Sequence, residues 1–395
     1  MSGSGLSAAR LGRLREVLAR HVDSGQVPGL VALVARRGEA HAVVIGTTEA
    51  DGAGRPMARD TIFRIASVSK PIAAVGAMTL VEQARVRLDD PVDELLPELA
   101  GRRVLRDADG PMDDTVPAER PITVRDLLTF RMGLGVLMTD HPLGRAMTEA
   151  GLEPGPDSPL AEPDEWMKRL GRLPLLYQPG EKWLYHTPAD VLGVLMARAS
   201  GQPLGDLLAE RLFAPLGMSD TGFSVPAAKL DRLAAAYRPE DGSLLLTDDP
   251  RQSRWAQPPA FPSAGGGLVS TADDLLAFGT MMLHQGRYRG RRLLSRPSVQ
   301  VMTTDQLTEQ QREENGLFFA GAGGWGFGLN VVTRRTELGP GPGSFGWNGG
   351  TGTSFYVDPA EELIGVLLTQ RSMTSPRPPA VYRDFWAGAY QAIDD

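Results

Sequence analysis

Apolar residues recur at helical spacing near the start of the chain. Leu11, Leu14, Leu18 and Val22 fall on one face and predict an amphipathic helix over about residues 6–24. Two apolar runs follow, Gly29–Arg36 (GLVALVAR) and Ala40–Gly46 (AHAVVIG), separated at Gly38; they predict an antiparallel hairpin. Thr61–Ile65 reads as a short strand, and a helical run opens at Ser67 and carries Ile72, Val75, Met78, Leu80 and Val81. From about residue 85 to 225 the strand signal fades. Thr123 with Asp126 forms a capping box before Leu127 and Leu128, and Pro188–Ala199 and Leu204–Leu212 read as helices. Residues 139–165, rich in Gly, Pro, Asp and Glu, read as a long surface loop. Gly265-Gly266-Gly267 precedes Ser270-Thr271-Ala272-Asp273-Asp274, a helix start with overlapping capping boxes. Strands return at Trp325–Val332, Thr353–Val357 and Leu363–Thr369, and a last helix spans about Pro379–Ile393. The pattern predicts an α+β fold. One lobe, from residues 1–84 and 226–395, carries an antiparallel sheet flanked by helices; a mostly helical lobe, 85–225, is inserted into it.

Composition narrows the chemistry. The 395 residues include no cysteine, which excludes thiol nucleophiles, Cys-zinc sites, iron–sulfur clusters and disulfides. The net charge is −7 with no dense basic run, so no nucleic-acid partner is expected. No stretch reaches the ~18 apolar residues of a membrane span. The first residues lack the apolar region of a signal peptide, so a cytoplasmic protein without membrane association is expected. Nothing in the pattern sets an oligomeric state. The five histidines form no H-E-x-x-H, and neither G-x-S-x-G nor a P-loop occurs. The Gly-rich stretches at 265–267 and 321–328 read as turn and strand-edge glycines.

One motif survives this elimination. Ser67-Val68-Ser69-Lys70 is an S-x-x-K at a predicted helix start, in a chain with only 4 lysines against 37 arginines. Three residues make about one helical turn, so the hydroxyl and the amine share a face. The amine acts as a base if burial lowers its pKa; if it stays charged, it lowers the pKa of another base beside it.

The segment Phe63-Arg64-Ile65-Ala66-Ser67-Val68-Ser69-Lys70 resembles the F-x-x-x-S-x-[ST]-K segment of the serine β-lactamase and penicillin-binding protein superfamily, above all its class C branch. Thr123–Leu134, Gln178–Thr187 and Ser263–Asp273 resemble further segments of that branch in the same order. The resemblance implies a β-lactamase/transpeptidase-like fold with its site between the two lobes. It implies Ser67 as the acylated nucleophile and Lys70 and Tyr185 as its activating partners, Tyr185 taking the Ser67 proton. Trp347-Asn348-Gly349 stands where the family has a K-T-G, H-x-G or W-x-G strand, and the N–H groups of Ser67 and Gly350 then form the oxyanion hole. Thr187, Trp347, Asn348 and Gly349 are the implied substrate contacts. Thr187 replaces an Asn expected to meet an acylamino carbonyl, and Trp347 replaces a cation expected to meet a substrate carboxylate. Both changes favour an apolar ester over a β-lactam. The implied activity is a serine carboxylesterase acting on small or short-acyl esters without metal or cofactor. The alternatives are acyl transfer to a small-metabolite acceptor, β-lactam or D-amino-acid peptide hydrolysis, and a non-catalytic binding protein of the same fold.

Overall fold

Strand β1 (Gly29–Arg36) is buried along its whole length. Its unbroken apolar run supplies both faces of a central sheet, as expected for a strand covered on two sides. Leu30, Ala32 and Val34 point to one layer of core, and Val31, Leu33 and Ala35 to the other. In the computed structural model, which describes residues 3–50, 52, 54–155 and 159–395, β1 pairs with β2 (Glu39–Gly46) on one side. On the other side it meets a strand from the far end of the chain. The C-terminal strands are β3 (Gly323–Trp325), β4 (Asn330–Val332), β5 (Phe345–Gly349), β6 (Thr353–Asp358) and β7 (Leu363–Thr369). The seven-stranded sheet runs β3-β4-β5-β6-β7-β1-β2, and every pairing in it is antiparallel.

Helices cover both faces. Helices α1 (Ala8–Asp23) and α5 (Ala380–Gln391) lie on one, where Leu14, Leu18, Phe385 and Trp386 pack on Leu30, Val34 and Leu367. On the other lie α2 (Ser69–Glu82) and α4 (Ala272–Leu283), whose Ile72, Phe278 and Met282 join Val31, Leu33, Phe355 and Val366. Helix α3 (Thr187–Ser200) packs on α2 from the middle of the chain. Burying each such side chain contributes roughly 1.5–3 kcal/mol. Helix α2 is buried on every side from Ser69 to Leu80, so Lys70 enters the core with it.

Several expectations are corrected. Trp325–Val332 is a hairpin, not one strand: Gly326-Phe327-Gly328 turns the chain, and Gly328 takes φ +68°. The supposed loop over 139–165 contains the helix Pro142–Glu149, with proline at its start and Leu143 and Met147 buried one turn apart; residues 156–158 of that loop lie outside the described residues. An unexpected hairpin, Ala236–Glu240 with Ser243–Asp248, hangs from the end of β7 through Tyr237 N–H to Gln370 C=O at 2.8 Å. Trp347 and Asn348 lie inside β5, which ends at Gly349 just before β6, as the motif implies. No helix among the described residues is long and apolar enough to cross a membrane.

Candidate active site

Ser67 sits in a 3-10 turn, Ala66–Val68, directly before α2. Ala66 enters the turn at φ +42°, a strained value for a residue with a Cβ. Strand β5, the turn after it and the first residue of β6 hold this segment from outside. Thr353 Oγ1 donates to Ile65 C=O at 3.0 Å and Thr351 Oγ1 to Arg64 C=O at 2.5 Å. Gly349 lies flush against the same backbone, since a Cβ there would stand 2.3 Å from the Ile65 oxygen. The N–H groups of Ser67 and Gly350 have no protein acceptor among the described residues.

The Lys70 amine donates to Ser67 Oγ at 2.9 Å and to Gly265 C=O at 2.5 Å, and it lies 3.3 Å from His186 Nδ1. Burial pulls the amine down to about 7, against a smaller opposing pull from Asp190. The Tyr185 side chain interacts with Ser67 and shares its cavity wall, and the Lys70 amine stands 4.5 Å from the Tyr185 ring centroid. Burial pushes the Tyr185 phenol well above the usual phenol range, despite bonds to Ser67 and Trp347 that favour the phenolate. A resting ammonium–phenolate pair is therefore disfavoured at both members.

Trp347 does more than line an apolar wall. Its indole N–H donates to the Tyr185 hydroxyl, and its ring stands edge-on to Trp325 at 4.9 Å. Asn348 reaches the cavity and accepts from Ser354 Oγ at 2.6 Å. Thr187 is a correction: it is buried at the first position of α3 and does not line the cavity. The cause is backbone. His186 has φ +75° and ψ −68°, and Thr187 N–H bonds back to Tyr185 C=O at 3.1 Å. This is a γ-turn of the rare, strained hand, and it gives the cavity-facing position to His186.

The sequence reading missed His186, Asp190 and Gly265. The available signals were a histidine directly after Tyr185, an acid four residues later, and a glycine run taken for plain turn. His186 Nε2 lies 3.2 Å from Asp190 Oδ2. Asp190 Oδ1 accepts from Ser263 Oγ at 2.7 Å and Gly265 N–H at 3.0 Å.

Ser67, Tyr185, His186, Trp347, Asn348 and Gly350 all open onto one cavity of about 940 Å³. Its outer wall comes from the 236–248 hairpin, residues 316–323 and residues 372–378. Arg64, Arg238, Arg254, Arg334, Arg377 and Arg383 also line it, so the cavity is not apolar throughout. Arg64 is paired with Asp248 and Arg238 with Glu240.

Residues 14–385 match the family model for beta-lactamase. The chain belongs to the beta-lactamase family. Within that family it is similar to an uncharacterized protein of Mycobacterium tuberculosis, 42% identical over 88% of this chain and 87% of the relative. It is also similar to the esterase EstB of Burkholderia gladioli, 33% identical over 92% of this chain and 91% of EstB. Among solved structures it resembles EstCE1, described as a hydrolase with promiscuous acyltransferase activity, at 25% identity and a TM-score of 0.82, covering 97% of this chain and 99% of that one. The β-lactamase/transpeptidase fold expected from the motifs is the fold of this family.

Proposed function

We propose that this chain is a serine carboxylesterase that cleaves esters of small or short acyl groups through an acyl-Ser67 intermediate. The supporting observation is one hydroxyl with a buried amine, Lys70, at 2.9 Å and a buried phenol, Tyr185, beside it on the wall of a roomy cavity. Similarity to EstB points the same way.

With its pKa drawn to about 7, Lys70 is half deprotonated near neutrality and accepts the Ser67 proton as Oγ attacks the ester carbonyl. The developing oxyanion takes the N–H groups of Ser67 and Gly350, each donor worth about 3 kcal/mol in the transition state. The Tyr185 hydroxyl gives its proton to the departing alkoxide and is refilled from Lys70. Water then attacks the acyl carbon and loses a proton to the same pair; the Ser67 Oγ–acyl bond breaks, that proton returns to Oγ, and the acid is released. The cavity exceeds what a short acyl group fills, which leaves room for a bulky alcohol portion. That room favours a second reading, transfer of the acyl group to an alcohol acceptor, in line with the description of EstCE1.

Ser67→Ala is expected to lower turnover of p-nitrophenyl butyrate at least ~10³-fold. Turnover unchanged in that variant rejects the nucleophile. Product analysis with a primary alcohol competing against water separates hydrolysis from transfer.

A further inference from the structure

Three groups buried behind Lys70 take no part in the steps above: His186, Asp190 and the Gly265 peptide. Asp190 accepts from Ser263 Oγ and Gly265 N–H through one oxygen and meets His186 Nε2 through the other. Gly265 in turn offers its carbonyl to Lys70. A Cβ at Gly265 would stand 2.9 Å from His186 Nε2 and 3.1 Å from Asp190 Oδ1, so only glycine lets the three close up. The γ-turn at His186 spends backbone strain to place an imidazole here.

We propose that the His186–Asp190 pair is a positioning device that presents a bare Nδ1 to Lys70 and thereby turns the Lys70 lone pair onto Ser67. The inference rests on the reading of Ser67 as nucleophile and Lys70 as base. Asp190, a carboxylate, only accepts, so the imidazole hydrogen belongs on Nε2 and Nδ1 keeps its lone pair. A neutral amine has two N–H bonds and one lone pair. Gly265 C=O at 2.5 Å and His186 Nδ1 at 3.3 Å take the two N–H bonds. The lone pair is left for the Ser67 hydroxyl 2.9 Å away, so the neutral amine accepts across the contact in which the ammonium donates. A hydrogen on Nδ1 would instead donate to that lone pair, and Lys70 could no longer receive the Ser67 proton. The titratable groups around His186 are Lys70 from α2, Asp190 from α3 and the Tyr185 phenol, whose ring centroid is 6.0 Å away. Burial and the neighbouring Lys70 both hold His186 in its neutral form.

The test compares His186→Asn with His186→Gly on p-nitrophenyl butyrate, beside Ser67→Ala. Asparagine tolerates positive φ and carries an acceptor oxygen near the place of Nδ1; glycine suits the turn best but carries none. The glycine variant is expected to lose roughly 100-fold in kcat with little change in KM, and the asparagine variant less than about 10-fold. The acid limb of the pH–rate profile stays in place for asparagine and moves to higher pH for glycine, where water reaches Lys70. A purely structural role for His186 reverses the order, because glycine relieves the turn. Equal kcat in the two variants, or a faster glycine variant, overturns the proposal. If Ser67→Ala is also inactive, that result removes only the His186 role; if Ser67→Ala stays active, the nucleophile itself is wrong. In Asp190→Asn, Oδ1 stays with Ser263 and Gly265 and the amide N–H₂ faces His186, forcing the hydrogen onto Nδ1. Nitrogen-15 NMR of labelled histidine is expected to show that switch together with a loss of at least ~10²-fold in kcat. A switched tautomer at undiminished kcat contradicts the proposal.

Discussion

The two sides of Ser67 are built from opposite materials. Behind it, the Lys70 side is a ladder of polar groups, each hydrogen-bonded or ion-paired to the next through Gly265, His186, Asp190 and Ser263. In front, Tyr185 stands among rings: Trp183 at 5.6 Å, Phe318 at 5.0 Å, Trp347 at 5.8 Å and Phe130 at 6.0 Å. Burial acts on both sides with the same consequence. Removing water disfavours the charged form of each group, so it lowers the amine and raises the phenol. The result, above about pH 7, is a neutral amine and a neutral phenol beside one hydroxyl. The polar ladder then decides where the amine points, and the aromatic box decides where the phenol points.

Removing the phenol is the strongest way to break the aromatic side. Tyr185→Phe keeps the ring packing and loses the proton shuttle, and kcat is expected to fall roughly 10²–10³-fold with folding intact by circular dichroism. A variant within twofold of wild type removes Tyr185 from the chemistry.

The pH profile sharpens the difference between the sides. Lys70 must be unprotonated to act as base, so kcat/KM is expected to be low in acid, to rise through about pH 7 and to reach a plateau. The Tyr185 phenol, held up by burial, contributes no falling limb up to about pH 9, below the usual phenol range. A rate that falls as pH rises through 7 contradicts the neutral amine. The same shift touches stability: the unfolded chain binds a proton at Lys70 that the folded chain releases, so this contribution grows with pH from about 7 towards the ordinary lysine value.

Trp347→Phe keeps an aromatic neighbour and deletes the donor to Tyr185. Losing one hydrogen bond of about 1 kcal/mol predicts a loss of roughly five- to tenfold in kcat. No loss at all makes the indole N–H irrelevant to the phenol. Thr187→Val has the smallest expected effect. Thr187 Oγ1 is buried without a partner among the described residues and lies off the cavity. KM is therefore expected to hold within twofold, and stability within about 1 kcal/mol or slightly improved. A large rise in KM restores Thr187 as a substrate contact.

How much of this was legible in the sequence divides along similar lines. The buried strand β1, the amphipathic α1 and the last helix announced themselves through period and burial, because local pattern and tertiary environment agree there. The hairpin at 236–248 did not: its second strand is mostly exposed, so no apolar alternation marks it. Ser67 and Lys70 were legible because one helical turn brings them together. Tyr185, Trp347 and Gly350 were legible through their family motifs, since no local rule joins residues so far apart. His186 was missed because its placement depends on a strained turn of one residue, and Thr187 was misplaced for the same reason. Gly265 was read as mere turn because its role is carried by a carbonyl, which no side-chain pattern shows.

The central claim is that Ser67 carries the acyl group, and acid-quenched peptide mapping tests it most directly. The protein is mixed with saturating p-nitrophenyl butyrate, quenched during turnover and digested, and the fragments are weighed by mass spectrometry. The expected result is one butyryl group on the peptide containing Ser67, absent from the Ser67→Ala protein and accumulating in Tyr185→Phe if deacylation is the step most slowed. Steady turnover with the acyl group on another residue, and never on Ser67, contradicts it.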